Sequence, residues 1–314
     1  MCIRDSGITS CISAASAKPR LDVVIRNAIE KGEIPGPRLL AATPWLTVTG
    51  GLGDMRTLHM PKVDSMALMA DGPEEYRRLT RELIREGVDI IKLVISGDSF
   101  VPHAGSETTI MNEAEVAAAA EVAHAHGKRL SAHARSAESV KLCVRHGIKV
   151  IYHANYADEE ALDLLEANRD WLFVSPNIGF TAIAAYEGSE WFTEEQVQTM
   201  GFRDELESAV SGVQALMKRG VRILGGGDYG FMITPHGRNA RDLDHFVRQL
   251  HRGQESNAGQ LGIEHRQRSA HDAQNFATED SIARMQVVGT ASRRGGFSDT
   301  IAFDPIKNSK RLHQ

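Results

Sequence analysis

The amino-acid sequence predicts an α/β fold: a (β/α)8 TIM barrel that lacks its first strand, followed by an irregular carboxyl-terminal tail. Three observations carry this expectation. From Pro73 onward, helical and strand-like patterns take turns with regular glycine stops, which is the signature of a parallel sheet. The segment Val88 to Asp98, VDIIKLVISGD, is an almost unbroken apolar run of the kind buried on both faces of such a sheet. With 314 residues, the chain can also accommodate a barrel of about 250 residues plus an appendage.

The elements follow in order. GITSCIS at 7 to 13 is a short β-branched strand candidate, and an amphipathic helix is expected from 21 to 31, closed by Gly32. Two prolines in IPGPRLLAAT precede a strand at 38 to 43. The stretch from Pro44 to Gly72 reads as a long loop, and long loops at the carboxyl ends of barrel strands usually contact substrate.

Helix 73 to 86 ends at Gly87 and leads into strand 88 to 95. Helix 112 to 126, capped by Asn112, ends at Gly127 before strand 129 to 133. Helix 136 to 146 opens on the capping pattern SAES and precedes strand 148 to 153. Helix 158 to 168 precedes strand 171 to 175, and helix 203 to 219 precedes strand 221 to 225, which makes seven strands. After about residue 250 the period is lost. The expected division is therefore a barrel over 1–250 and a poorly ordered tail over 251–314, in which FSDTIAFDPIKN could form a terminal hairpin.

Composition narrows the function. With 36 basic and 41 acidic residues the net charge is -5, which argues against nucleic acid as a partner. No stretch reaches the roughly 20 apolar residues that cross a bilayer, and the start has no apolar signal core, so a cytoplasmic location without membrane partners is expected. Cys2, Cys11 and Cys143 are too few for a disulfide framework or a cysteine-based zinc site. The expected partner is a small-molecule substrate; a homo-oligomer is left open.

Lys92 is the residue that calls for chemistry, because a buried ammonium must be paired, deprotonated or chemically changed. His133, His153 and Asp228 lie at the ends of three other strands, and parallel strands deliver their carboxyl ends to one rim. We read the four as metal ligands. Imidazoles suit zinc, a carboxylate can bind metal or take a proton, and a lysine becomes an anionic oxygen donor once CO2 adds to its amine. Blander readings stand beside this one: Lys92 snorkelling to solvent, Asp228 shaping a turn after three glycines, and each histidine as a hydrogen-bonded core residue. His124 and His126 form an H-x-H in the last turn of a helix and are read as solvated. GGLGD and GGGD lack a Walker lysine, so nucleotide binding is not expected.

The ordered segments GITS, IKLVISGD, SAHARS, IYHANY, GGGDYG and TPHG resemble the amidohydrolase superfamily over roughly residues 7 to 250, in the branch of Xaa-Pro dipeptidases and imidazolonepropionase-like proteins. The resemblance implies a TIM barrel with one or two divalent ions, usually Zn2+, and hydrolysis of an amide or peptide-type bond. It implies Lys92 as the carboxylated bridging lysine, His133 and His153 as ligands, and Asp228 as both ligand and catalytic acid-base. Arg135 stands where an H-x-Tyr is common in the dipeptidases, and its fork suits a substrate carboxylate. Tyr156, Tyr229 and His236 are further substrate-contact candidates. The family's first-strand H-x-H pair is expected to precede this chain, which implies a truncated amino terminus and an atypical carboxyl terminus, and such a chain could be inactive. A lactonase or phosphotriesterase-like hydrolase using the same site, or a non-catalytic barrel fragment, are the alternatives.

Overall fold

The computed structural model describes residues 8–258 and 285–286. The first third holds β1 (Ser10–Ile12), α1 (Leu21–Glu30), β2 (Arg38–Leu40), β3 (Trp45–Thr47), β4 (Ala67–Met69) and α2 (Pro73–Arg85). The regular alternation follows: β5 (Ile90–Val94), α3 (Glu113–Ala125), β6 (Arg129–Ser136), α4 (Ala137–Arg145), β7 (Val150–Tyr156), α5 (Glu159–Ala167) and β8 (Phe173–Ser175). Then come α6 (Ile178–Ala182), a π-helical turn at Ile183–Glu187, α7 (Glu194–Thr199), α8 (Phe202–Lys218), β9 (Ile223–Leu224), α9 (Arg241–Ala258) and β10 (Met285–Gln286).

Every strand pairing is parallel. Eight strands run in the order β10-β9-β8-β7-β6-β5-β3-β4, and β1 and β2 form a separate pair. A bridge between Ala42 and Ile90 joins the chain after β2 to β5. The sheet curls, since Ile12 of β1 packs both on Leu40, Ala42 and Ile90 and on Val150, Tyr152 and Leu224 from the far strands. The ring stays open among the described residues. Helices cover its outer face, where Ile91, Leu93, Leu130, Ala132 and Ile151 meet Tyr76, Leu83, Val116 and Val140 in the main core.

Local rules account for the helix ends. Asn112 and Glu115 form a reciprocal capping box at the start of α3, and the Ser136 hydroxyl accepts from Ser139 N at the start of α4. Gly127 and Gly147 take positive φ of 62° and 67° at the following stops, a conformation that costs glycine little.

Two expectations need correction, and one segment carries structure that no reading anticipated. The stretch 44 to 72 is not structureless: β3 and β4 pair within it, too short to show a period. The segment between β8 and α8 carries α6, the π turn and α7, which no sequence period announced. Helix α9 runs through residue 250 to Ala258, so the change in composition there does not end the regular structure. The suggested hairpin at FSDTIAFDPIKN lies outside the described residues. Among the described residues no helix is long and apolar enough to cross a membrane.

A buried ionic clasp ties α8 to the top of the sheet. Arg135 on β6 donates from Nε to Asp98 Oδ2 at 2.9 Å and from Nη1 to Glu205 Oε1 at 2.6 Å. The other oxygen of Glu205 accepts from the Ser99 hydroxyl at 2.7 Å and the Ser106 hydroxyl at 3.1 Å. All three charged side chains are at most 5% exposed. Charges so placed are tolerable only together, because removing one partner leaves the others desolvated. Arg135→Ala is therefore expected to lower unfolding stability at pH 7 by about 3–5 kcal/mol, against about 1 kcal/mol for the cap substitution Asn112→Ala. Urea denaturation measures both.

Candidate functional site

Strand alternation decides which side chains face the barrel interior. On β5, Ile91 and Leu93 point to the helices, so Lys92 points inward; on β6, Leu130, Ala132 and Ala134 do the same for Ser131, His133 and Arg135. On β7 the rule would send His153 outward, because Tyr152 already faces in. The backbone breaks the rule. His153 and Ala154 adopt left-handed φ of 77° and 54°, conformations that strain residues carrying a Cβ and that concentrate at functional sites. The turn brings the His153 ring to 4.5 Å from that of His133, edge to face at 69°.

Asp228, at φ 53°, follows Gly225, Gly226 and Gly227 and places Oδ2 4.0 Å from His153 Nε2. Lys92 Nζ lies 3.7 Å from the centre of the Tyr152 ring. His133, His153 and Asp228 thus gather at the carboxyl end of the sheet, and Lys92 points into the same interior from the middle of β5, where its charge is felt by all three.

Their electrostatics follow from burial. Lys92 is 3% exposed, and desolvation lowers its pKa from 10.5 to about 7 despite the opposing charge of Asp228, so a large neutral fraction exists at neutral pH. Burial, and then the charge of Arg135, hold both His133 and His153 well below the usual imidazole range, so both are neutral. His133 Nε2 lies 3.0 Å from the Gly97 carbonyl, which can only accept. Nε2 therefore carries the proton and Nδ1 the lone pair. Burial raises the Asp228 carboxyl, while Lys92 and Arg135 oppose the shift.

Two neutral imidazoles, a carboxylate and a readily deprotonated lysine have the donor chemistry that a divalent cation requires. Among the described residues no group of three His, Cys, Asp or Glu is placed to hold a metal.

The remaining candidates fare differently. Arg135 cannot offer its fork to a substrate carboxylate as expected, because Asp98 and Glu205 occupy it. Tyr156 stands at the end of β7, where burial lifts its hydroxyl to about 12. It lines a cavity of about 430 Å³ with Asn155, Leu162, Ser208 and Gly212, and none of the four convergent residues borders that space. Tyr229 folds back onto Gly227, near enough that a Cβ there would lie 2.6 Å from its ring. His236 is exposed and lies over Gly230 on the same loop. His124 and His126 are exposed and bond backbone carbonyls of His146 and Val122.

Sequence reasoning missed Asp242. This buried residue of α9 accepts from Gly226 N at 2.7 Å and Gly179 N at 3.2 Å, pinning the glycine run that carries Asp228. Burial, only partly offset by those two bonds, raises its pKa to about 7. An acidic residue in the first turn of a helix reads as a helix-dipole partner, so its long-range bonds left no signal.

Comparison with known proteins identifies the fold and the family. Ochratoxinase from Aspergillus niger is 27% identical over 238 residues, which is 71% of this chain and 48% of that protein. The chain thus spans about half the length of the curated relatives it matches. Among solved structures, a Xaa-Pro dipeptidase with methionine in its active site superposes with a TM-score of 0.68 at 24% identity, over 79% of this chain and 61% of that one. The crystal structure of A. niger ochratoxinase gives 0.65 at 23% identity, over 79% and 58%. At these identities the structural likeness establishes a shared fold. The profile of the Amidohydrolase family matches residues 3–249, from before β1 into α9, and this chain belongs to that family.

Proposed function

We propose that the chain carries the site of a metal-dependent hydrolase that cleaves an amide or peptide-type C–N bond in a small substrate, by attack of water. The observation that supports it best is the gathering of His133, His153 and Asp228 at one end of a parallel sheet, with buried Lys92 facing the same interior. Family membership and relatives named as a dipeptidase and an ochratoxinase point the same way.

His133 through Nδ1, His153, Asp228 and Lys92 as its carbamate would hold one or two divalent ions, for which zinc is the natural choice of a nitrogen and oxygen set. When bound, such an ion polarises the scissile carbonyl and acidifies water, to a pKa of about 7 in zinc hydrolases. The chain's own residues do the rest. Asp228, its basicity raised by burial, accepts the proton of the attacking water and returns it to the leaving amine. The charge of Arg135 opposes the upward shift that burial imposes on that carboxyl. Arg135, paired inside the protein, acts as a strut: its partner Asp98 lies 3.6 Å from His133 Nε2 and flanks the imidazole.

The direct test is turnover by zinc-loaded protein of N-acyl amino acids and dipeptides, set against lactones and phosphotriesters. Amide hydrolysis that falls about 10²- to 10⁴-fold in kcat for Asp228→Asn is the expected result. Hydrolysis of lactones or phosphotriesters alone, or of nothing, would refute the reading.

A second test needs no activity. Because the folded Lys92 pKa lies below its unfolded value, the unfolded chain binds more protons between about pH 7 and 10.5, and stability rises with pH across that window. Lys92→Met should raise the denaturation midpoint at pH 7 and flatten that slope. It should also remove any bicarbonate-dependent zinc uptake, read by elemental analysis.

A further inference from the structure

The carboxyl-terminal rim carries a continuous arc of aromatic rings that the hydrolytic reading leaves unused. Trp45 contacts Phe231 at 6.4 Å between ring centres, Phe231 contacts Phe180 at 5.8 Å, and Phe180 contacts Phe100 at 6.1 Å. Phe100 then meets Phe192 and Phe202, which pack on each other at 5.2 Å. Three of these rings follow the carboxyl ends of strands, and Trp45, the first residue of β3, backs Phe231. Phe100 follows β5, Phe180 lies in α6 after β8, and Phe231 follows β9.

Their placement ties the arc to the site. Strands β5 and β8 are separated in the sheet by β6 and β7, which carry His133 and His153. The contact between Phe100 and Phe180 therefore spans the sector that holds both imidazoles. Phe100 N donates to Asp98 Oδ1 at 3.1 Å, and the other Asp98 oxygen lies 3.6 Å from His133 Nε2. Phe231 stands three residues beyond Asp228. Phe202 is fully buried and anchors the arc, whereas Phe100 and Phe231 remain 44% and 37% exposed.

Half-exposed rings gathered above a polar centre bind apolar partners with ring-edge and ring-face complementarity. The occupant they fit is the aromatic side chain of a small amide. Arg135 reinforces this choice, since with its guanidinium committed to Asp98 and Glu205 it cannot select a substrate by its carboxylate. We propose that Phe100, Phe180 and Phe231 form a subsite that selects amides carrying an aromatic side chain. The proposal names the substrate class of the hydrolase and rests on that reading.

Binding separates the two ideas. The full chain is titrated with N-acetyl-L-phenylalaninamide and N-acetyl-L-alaninamide by ligand-observed NMR, alongside the turnover assay. The aromatic probe should bind at least about tenfold more tightly. Phe100→Ala and Phe180→Ala should each reduce that preference at least about threefold, and Phe180→Leu less than Phe180→Ala. Trp171→Phe, at the opposite end of β8, should leave it unchanged. Equal affinities, no binding of either probe, or a preference untouched by both alanine variants in folded protein overturns the subsite. A preference without amide turnover refutes the hydrolase and upholds the subsite; turnover without preference does the reverse.

Discussion

The interior of the curled sheet must accommodate the amine of Lys92, and much of the site can be understood from that constraint. Its position on β5 is set by strand alternation, with Ile91 and Leu93 facing the helices, so the side chain is turned into the interior, where it is 3% exposed. Burial makes the ammonium form unfavourable, and the surroundings relieve only part of the penalty: the Tyr152 ring beneath Nζ and the more distant carboxylate of Asp228. A side chain kept under those conditions is half-way to a nucleophilic amine. The same dry interior keeps His133 and His153 neutral and Asp228 basic, so one physical cause prepares all four groups.

Charge in the outer shell is handled in the opposite manner. Arg135 stays ionised because two carboxylates close on it, and the hydroxyls of Ser99 and Ser106 satisfy the oxygen of Glu205 that Arg135 leaves free. This clasp joins β6 to the loop after β5 and to α8, and it hardens the frame around His133. A desolvated inner set and a fully paired outer set divide the labour between reactivity and rigidity.

Much of this was legible in the chain. Lys92 stood out because a charged residue interrupts a strand that is otherwise apolar. The glycine stops, the Asn112 box and the SAES start marked the repeating unit, since each is a local rule acting over three or four residues. What escaped was long-range or too short. Glu205 lies seventy positions from Arg135, so nothing near either residue discloses the pair. Arg135 itself was misjudged for that reason. The three-residue strands β3 and β4 carry no period, and Asp242 looks like an ordinary first-turn acid. The inward turn of His153 contradicts simple alternation, and only backbone geometry reveals it.

That turn is made by a histidine and an alanine, residues that resist the left-handed basin, and not by glycine. A glycine hinge would swivel cheaply and let the ring drift among several headings. Here the neighbouring strands must over-determine the kink for it to exist at all, so the imidazole is held by a stiff bracket whose aim is set when the chain folds and before any guest arrives.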